Sequence, residues 1–190
     1  MNLACAVLAA GASSRLGTPK QLLPFHGSST LVHWAAECAC NSSASRVAVV
    51  VGARSDDIAA SVADLPIEIL EGTAWREGMA ASIRTAALWA IDRGAGALLL
   101  CACDQPLLTS RHLNALWFAS EHGSRLAGSY YGGKTGVPAV FPERYFGALL
   151  SLRGEEGGAG ILRREPNVAR VAWPEGAFDI DTPADCVSLG

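Results

Sequence analysis

The segment 3–24, LACAVLAAGASSRLGTPKQLLP, constrains this chain more than any other stretch. Its apolar run over 3–10 is too short for a membrane helix and shows no polar alternation, so it predicts a parallel strand buried on both faces. The run stops at Gly11, and Gly11-Ala12-Ser13-Ser14 then lead to Arg15, Gly17 and Lys20. Small side chains leave backbone N–H groups free to point into a pocket, and two cations this close in sequence can converge on one polyanion. That is the pattern of a phosphate cradle. Two familiar cradles are excluded. Lys20 lies between Pro19 and Gln21, where a P-loop needs Gly before and Ser or Thr after, and Ser13 stands where a dinucleotide fingerprint needs its second glycine.

The remaining pattern alternates strands and helices. Ser28 or Ser29 caps a helix running to about 41, with Leu31, Trp34, Ala35 and Cys38 on one face, and a second strand covers 47–51. Ser55 caps a short helix to 63, whose Asp56 and Asp57 suit the positive end of its dipole. A brief strand at 67–70 precedes a helix over 79–92 that Gly94 closes. The strand 97–103 delivers Asp104 at its carboxyl end, where open α/β sheets place ligands and where a carboxylate can hold a hard cation bridging phosphate oxygens. Thr109 caps a helix to about 120, a strand covers 126–131, and a turn at 132–136 leads into an edge strand at 137–141 that contains Pro138. Pro142 opens a helix to 150, and a late strand covers 168–173. Asp179 and Asp181 share one face of an extended segment, whereas Thr182, Pro183 and Asp185 form a capping box.

With 190 residues, 50% of them hydrophobic, the chain suits one domain over 1–190. The expected fold is a three-layer α/β/α sandwich around a Rossmann-like, mostly parallel sheet. A net charge of −3, with 15 Lys and Arg dispersed along the chain, offers no basic stripe for nucleic acid. The uncharged start and the lack of a long apolar run point to a cytoplasmic protein with no membrane partner. The six cysteines form no C-x-x-C knuckle and read as buried reduced thiols, and the four histidines are scattered.

LAAG-x-S-x-R-x-G-x-x-K-x-L-L-P, GMAASIR, CDQPLLT, GVPAVF and DIDTPAD occur in that order along nearly the whole chain. The set resembles the pyrophosphorylase-like nucleotidyltransferases, and within them the molybdenum cofactor cytidylyltransferase (MobA/MocA-type) family. The resemblance implies a sheet of the nucleotide-diphospho-sugar transferase type. It implies an Mg²⁺-dependent enzyme that moves CMP from CTP to the molybdenum pterin cofactor and releases pyrophosphate, with a molybdenum hydroxylase as recipient of the product. Arg15 and Lys20 would hold the β- and γ-phosphates as catalytic residues together with Asp104, and Asp104 and Asp181 would hold the metal. Leu8, Ala9, Ala10 and Gly11, with Gly78 and Ser82, would line the base pocket, while Gly136 and Pro138 would face the second substrate. Guanylyltransferase relatives tend to carry glycine at the position of Ala10, whose methyl group narrows the pocket towards a pyrimidine.

The segment Gly154-Glu155-Glu156-Gly157-Gly158-Ala159-Gly160-Ile161-Leu162 departs from the family's G-D-x-G-A-R. Glu155 replaces the aspartate and Ala159 the arginine, which removes a bidentate anion contact unless Arg163 or Arg164 reaches the same place. The identity of the second substrate is therefore expected to differ more than the nucleotide chemistry. Two alternatives accompany this reading: a transferase using GTP or a sugar or polyol phosphate acceptor, and a non-catalytic pterin-cofactor carrier.

Overall fold

The computed structural model describes residues 2–13, 17–26 and 29–180. In chain order its elements are β1 (Leu3–Leu8), β2 (Pro24–Phe25), β3 (Ser29–Thr30), α1 (Leu31–Cys40), β4 (Arg46–Val51), α2 (Ser55–Ser61), β5 (Glu68–Glu71) and α3 (Met79–Asp92). There follow β6 (Ala97–Ala102), α4 (Ser110–Ala119), β7 (Ala127–Tyr131), β8 (Lys134–Pro142), α5 (Phe146–Leu150), α6 (Ala159–Arg164) and β9 (Ala169–Ala172). Seven strands make one sheet in the order β5-β4-β1-β6-β8-β7-β9, and β2 and β3 form a small separate hairpin. Only β8 runs against its neighbours in the large sheet, so the sheet is mostly parallel, as expected.

β1 lies at the middle of the parallel half, paired with β4 on one side and β6 on the other. Its alternating side chains build two cores. Leu3, Cys5 and Val7 pack with α1, α2 and α4, whereas Ala4 and Ala6 face α3. The α3 side is itself rich in alanine, with Ala80, Ala86, Ala87 and Ala90, so helix and sheet approach closely. Leu98, Leu99 and Leu100 of β6 are fully buried, and each such side chain contributes about 1.5–3 kcal/mol relative to exposure. Helices α5 and α6 join α3 on its face, which completes the three layers.

Several local expectations need correction. Thr30 caps α1, its hydroxyl accepting from the His33 N–H, and Ser29 belongs to β3; Ser28 lies outside the described residues. Ser55 is the first residue of α2 and follows Arg54 in the left-handed conformation. β8 is an interior strand between β6 and β7, not an edge. Its Pro138 is tolerated there because the β7 pairing shifts register between Gly128 and Ser129, so this position owes no ladder hydrogen bond. The turn before it is tighter than expected. Gly132 and Gly133 both take positive φ, and β8 starts already at Lys134. Pro142 ends β8, and a 3-10 turn over Glu143–Tyr145 precedes α5.

The parallel pairing has one consequence for ligand binding. Leu8 is in register with both Val50 and Ala102, so the chain leaves β1, β4 and β6 along a common sheet edge.

Candidate active site

Beyond that edge, the loop after β1 is shaped from within by Gln21. This fully buried side chain donates to the carbonyls of Ala9 (3.0 Å) and Gly11 (2.6 Å), and its Oε1 accepts from the Ser13 hydroxyl. Ser13 in turn accepts from the Lys20 backbone N–H at 3.0 Å. The loop thus closes on itself and returns Lys20 to the strand end. There, Lys20 Nζ meets Asp104 Oδ2 at 2.6 Å across 84 residues of sequence, with 18% and 22% of the two side-chain surfaces exposed. Partial burial strengthens this pair relative to a surface bridge.

A cavity of about 690 Å³ opens over this pair. Leu8, Ala9, Ala10, Gly11, Lys20, Gly78, Ser82 and Asp104 all line it, so the structure brings together these residues singled out in the sequence. Arg15 lies outside the described residues. Two glycines give the cavity its form. A Cβ on Gly52 would lie 2.7 Å from Trp75 and 2.9 Å from the Ala10 Cβ, so its absence lets Trp75 close against Ala10. Gly78 has φ +112°, and a Cβ there would lie 2.5 Å from the Gly154 carbonyl, which instead accepts from the Ala80 N–H at the start of α3.

A second cavity of about 350 Å³ adjoins the first, and Met79, Ala102, Asp104 and Val137 line both. Asp104 therefore stands at the junction. Ile180 N–H donates to the Asp104 carbonyl at 3.0 Å, which brings Asp179 into the wall of the smaller cavity; Asp181 lies outside the described residues. Gly136 and Pro138 are buried in β8 and do not line either cavity. The residue between them does. Val137 is held from two sides, by Tyr131 and Gln105 donating to its own carbonyl and by Ser129 donating to the Pro138 carbonyl at 2.7 Å. Ser129 also pairs with His112 at 2.7 Å. Because the Ser129 hydroxyl gives its hydrogen to Pro138, His112 must be the donor in that pair. Burial holds the His112 pKa down at about 4, which agrees with a neutral ring stacked on Trp173.

Sequence reasoning missed Gln21, Trp75, Arg76, Gln105 and Lys134. Their only sequence signal was position, immediately beside a motif residue or at a tight turn. Of the altered segment, Glu155, Gly157, Gly158 and Ala159 line the larger cavity, and none of them lines the smaller one. Arg163 and Arg164 are exposed on α6 and reach neither cavity. Cys103 lines the larger cavity, but burial raises its pKa and keeps the thiol protonated. Cys5, Cys38, Cys101 and Cys103 are buried free thiols, whereas Cys40 is a free thiol only half-buried; Cys186 lies outside the described residues. Among the described residues no helix is long and apolar enough to cross a membrane.

A mostly parallel sheet with a cation–carboxylate pair at its carboxyl edge is the frame of a nucleotide-handling α/β enzyme. The MobA-like NTP transferase domain matches residues 5–169, and the chain belongs to that family of nucleotidyltransferases. It is similar to nicotine blue oxidoreductase of Paenarthrobacter nicotinovorans, 30% identical over 169 residues that cover 84% of this chain and 81% of the relative. It also resembles the crystal structure of an Rv0371c homologue from Mycobacterium sp. strain JC1, at 28% identity and TM-score 0.82, covering 98% and 96% of the two chains. Molybdopterin-guanine dinucleotide biosynthesis protein A of Archaeoglobus fulgidus shares the fold at 20% identity and TM-score 0.70, covering 98% and 96%.

Proposed function

We propose that this chain, acting as a single domain, transfers CMP from CTP to the phosphate of the molybdenum pterin cofactor and releases pyrophosphate. The observation that carries this reading is the meeting of Lys20 and Asp104 at the junction of two cavities. In-line displacement at the α-phosphorus needs a leaving group and a nucleophile on opposite sides of one point, and two adjoining cavities that share Asp104 in their walls support that reading. The larger cavity takes the nucleotide. Lys20 neutralises charge growing on pyrophosphate, a task Arg15 is proposed to share. The backbone of 8–11, with Gly78 and Ser82, borders the base, and the Ala10 methyl, pressed against Trp75, favours a pyrimidine. The smaller cavity takes the acceptor, with Val137 as the wall between the two.

The acidic residues suit a hard cation. Asp104 and Asp179 offer oxygen donors to the smaller cavity, and Asp181 is proposed to complete the set. These carboxylates would hold Mg²⁺, which would offset phosphate charge. This chain's own contribution is alignment: Asp104 is pinned by Lys20 and by the backbone of Ile180 before any substrate enters.

The test is pyrophosphate release across the four nucleoside triphosphates, with and without the pterin cofactor. Release that requires both CTP and the cofactor supports the reading, and nucleotide binding with no release overturns it. A redox reading, suggested by the name of the 30% identical relative, is favoured by the apolar wall of Leu8, Trp75, Met79 and Ile83, which suits a planar ring. It predicts reduction of an added planar dye by an external two-electron donor, which is oxidised in turn, and no pyrophosphate.

A further inference from the structure

Strand β8 loses both neighbours where it reaches the cavities. Its pairing with β6 stops at Ala139, and its pairing with β7 steps from Gly128–Ala139 to Ser129–Gly136, so Val137 and Pro138 stand opposite no residue on either side. Side chains replace the ladder at this bulge. The Tyr131 hydroxyl donates to the Val137 carbonyl at 2.9 Å, the Gln105 amide reaches the same carbonyl at 3.4 Å, and the Ser129 hydroxyl donates to the Pro138 carbonyl at 2.7 Å. Two glycines make room for the first of these donors. A Cβ on Gly136 would lie 2.8 Å from Tyr131 Oη, and one on Gly176 would lie 2.8 Å from Tyr131 Cδ1, so the phenol fills space that both glycines leave open.

We infer that Tyr131 and Gly136 are positioning residues for Val137, Gly136 by admitting the phenol and Tyr131 by fixing the carbonyl, and that together they set the fit of the acceptor. The inference rests on the reading of the smaller cavity as the acceptor site. A bulge re-aims a side chain away from the direction that a regular strand would give it. Here that side chain is Val137, which lines both cavities. A carbonyl without a ladder partner leaves its peptide free to turn, and the Val137 Cβ would turn with it. Hydrogen bonds to two successive carbonyls remove that freedom. Ser129 and Gly136 line neither cavity, so they act on a ligand through the wall they hold. Tyr131 does line the smaller cavity, and Gly136→Ala therefore probes the wall without removing any group that faces the ligand.

Steady-state kinetics of the full chain with CTP, Mg²⁺ and the molybdenum pterin cofactor test this, with calorimetric CTP titration counting the folded sites. Gly136→Ala pushes the Tyr131 hydroxyl off the Val137 carbonyl, and Tyr131→Phe removes it. Each should raise the acceptor KM by about three- to tenfold, the effect of one net hydrogen bond. Turnover per CTP-binding site and the CTP dissociation constant should stay within about twofold, a split that partial unfolding does not produce. In a chain already carrying Val137→Ala the same two substitutions should add little, because the side chain that transmits their effect is gone. Fully additive losses in that background overturn the inference, as a direct contact between Tyr131 and the acceptor would give them. Fewer CTP-binding sites with an unchanged KM mark a purely structural role and also overturn it. An acceptor KM unchanged in both variants overturns it while leaving the cavity assignment standing; a wild-type chain that releases no pyrophosphate removes both.

Discussion

The two cavities meet at one carboxylate but are built from different materials. The larger draws on strand ends and small residues from the parallel half of the sheet, Leu8 to Ala12 with Gly78, Gly157 and Gly158, beside long side chains such as Trp75 and Arg76. The smaller is framed by long side chains, Gln105, Tyr131, Lys134 and Asp179, gathered around the reversed strand β8. Backbone contacts change little when side chains drift, so the larger cavity suits a substrate shared by many enzymes. Side-chain walls can be exchanged one residue at a time, which suits an acceptor that varies.

Asp104 belongs to both cavities, so removing it should have the largest effect. Asp104→Asn should lower pyrophosphate release by about 10²–10³-fold while the circular dichroism spectrum stays native. A loss confined to either nucleotide or acceptor would break the idea of a shared junction. Lys20 lines the larger cavity and holds the shared Asp104. Lys20→Ala should raise the KM for nucleotide and lower kcat by about 10²-fold, with a smaller effect on the acceptor KM. Lys134, the cation that lines the smaller cavity among the described residues, gives the mirror experiment. Lys134→Ala should raise the acceptor KM by about fivefold and leave the CTP dissociation constant alone, as expected for an exposed charge.

The smallest effect lies behind the wall that both cavities share. His112 falls from an ordinary 6.5 to about 4 on burial, so the unfolded chain binds the extra proton between those values. Its contribution is full above about pH 6.5 and is lost as pH falls towards 4. His112→Asn should flatten that part of the stability curve in denaturant titrations at stepped pH. An unchanged slope would show that burial does not keep His112 neutral in the folded chain.

Much of this site could be read in the sequence where its parts are contiguous. The run 3–10, the loop that follows and Lys20 stand within one short stretch, and Asp104 follows an apolar strand directly. The helix over 79–92 was legible to the residue, because Gly78 and Gly94 bracket an uninterrupted run of good helix formers. Other features had no local signature. Nothing near Pro138 announces that β8 is interior, since that depends on a register shift made with β7. For the altered segment 154–162, no local pattern announces that the Gly154 carbonyl docks on α3 beside Gly78.

By itself the sequence determined the layers, the parallel half of the sheet and the chemical types at its edge. Hydrophobic periodicity and strand-end punctuation act over a few residues, and these are properties of adjacent positions. Tertiary structure alone decided which charges meet. Lys20 reaches Asp104 because β1 and β6 are neighbours in register, and Glu155 reaches Gly78 because the chain returns after α5 to the start of α3. Packing choices between distant segments set those distances, and no short-range pattern encodes them.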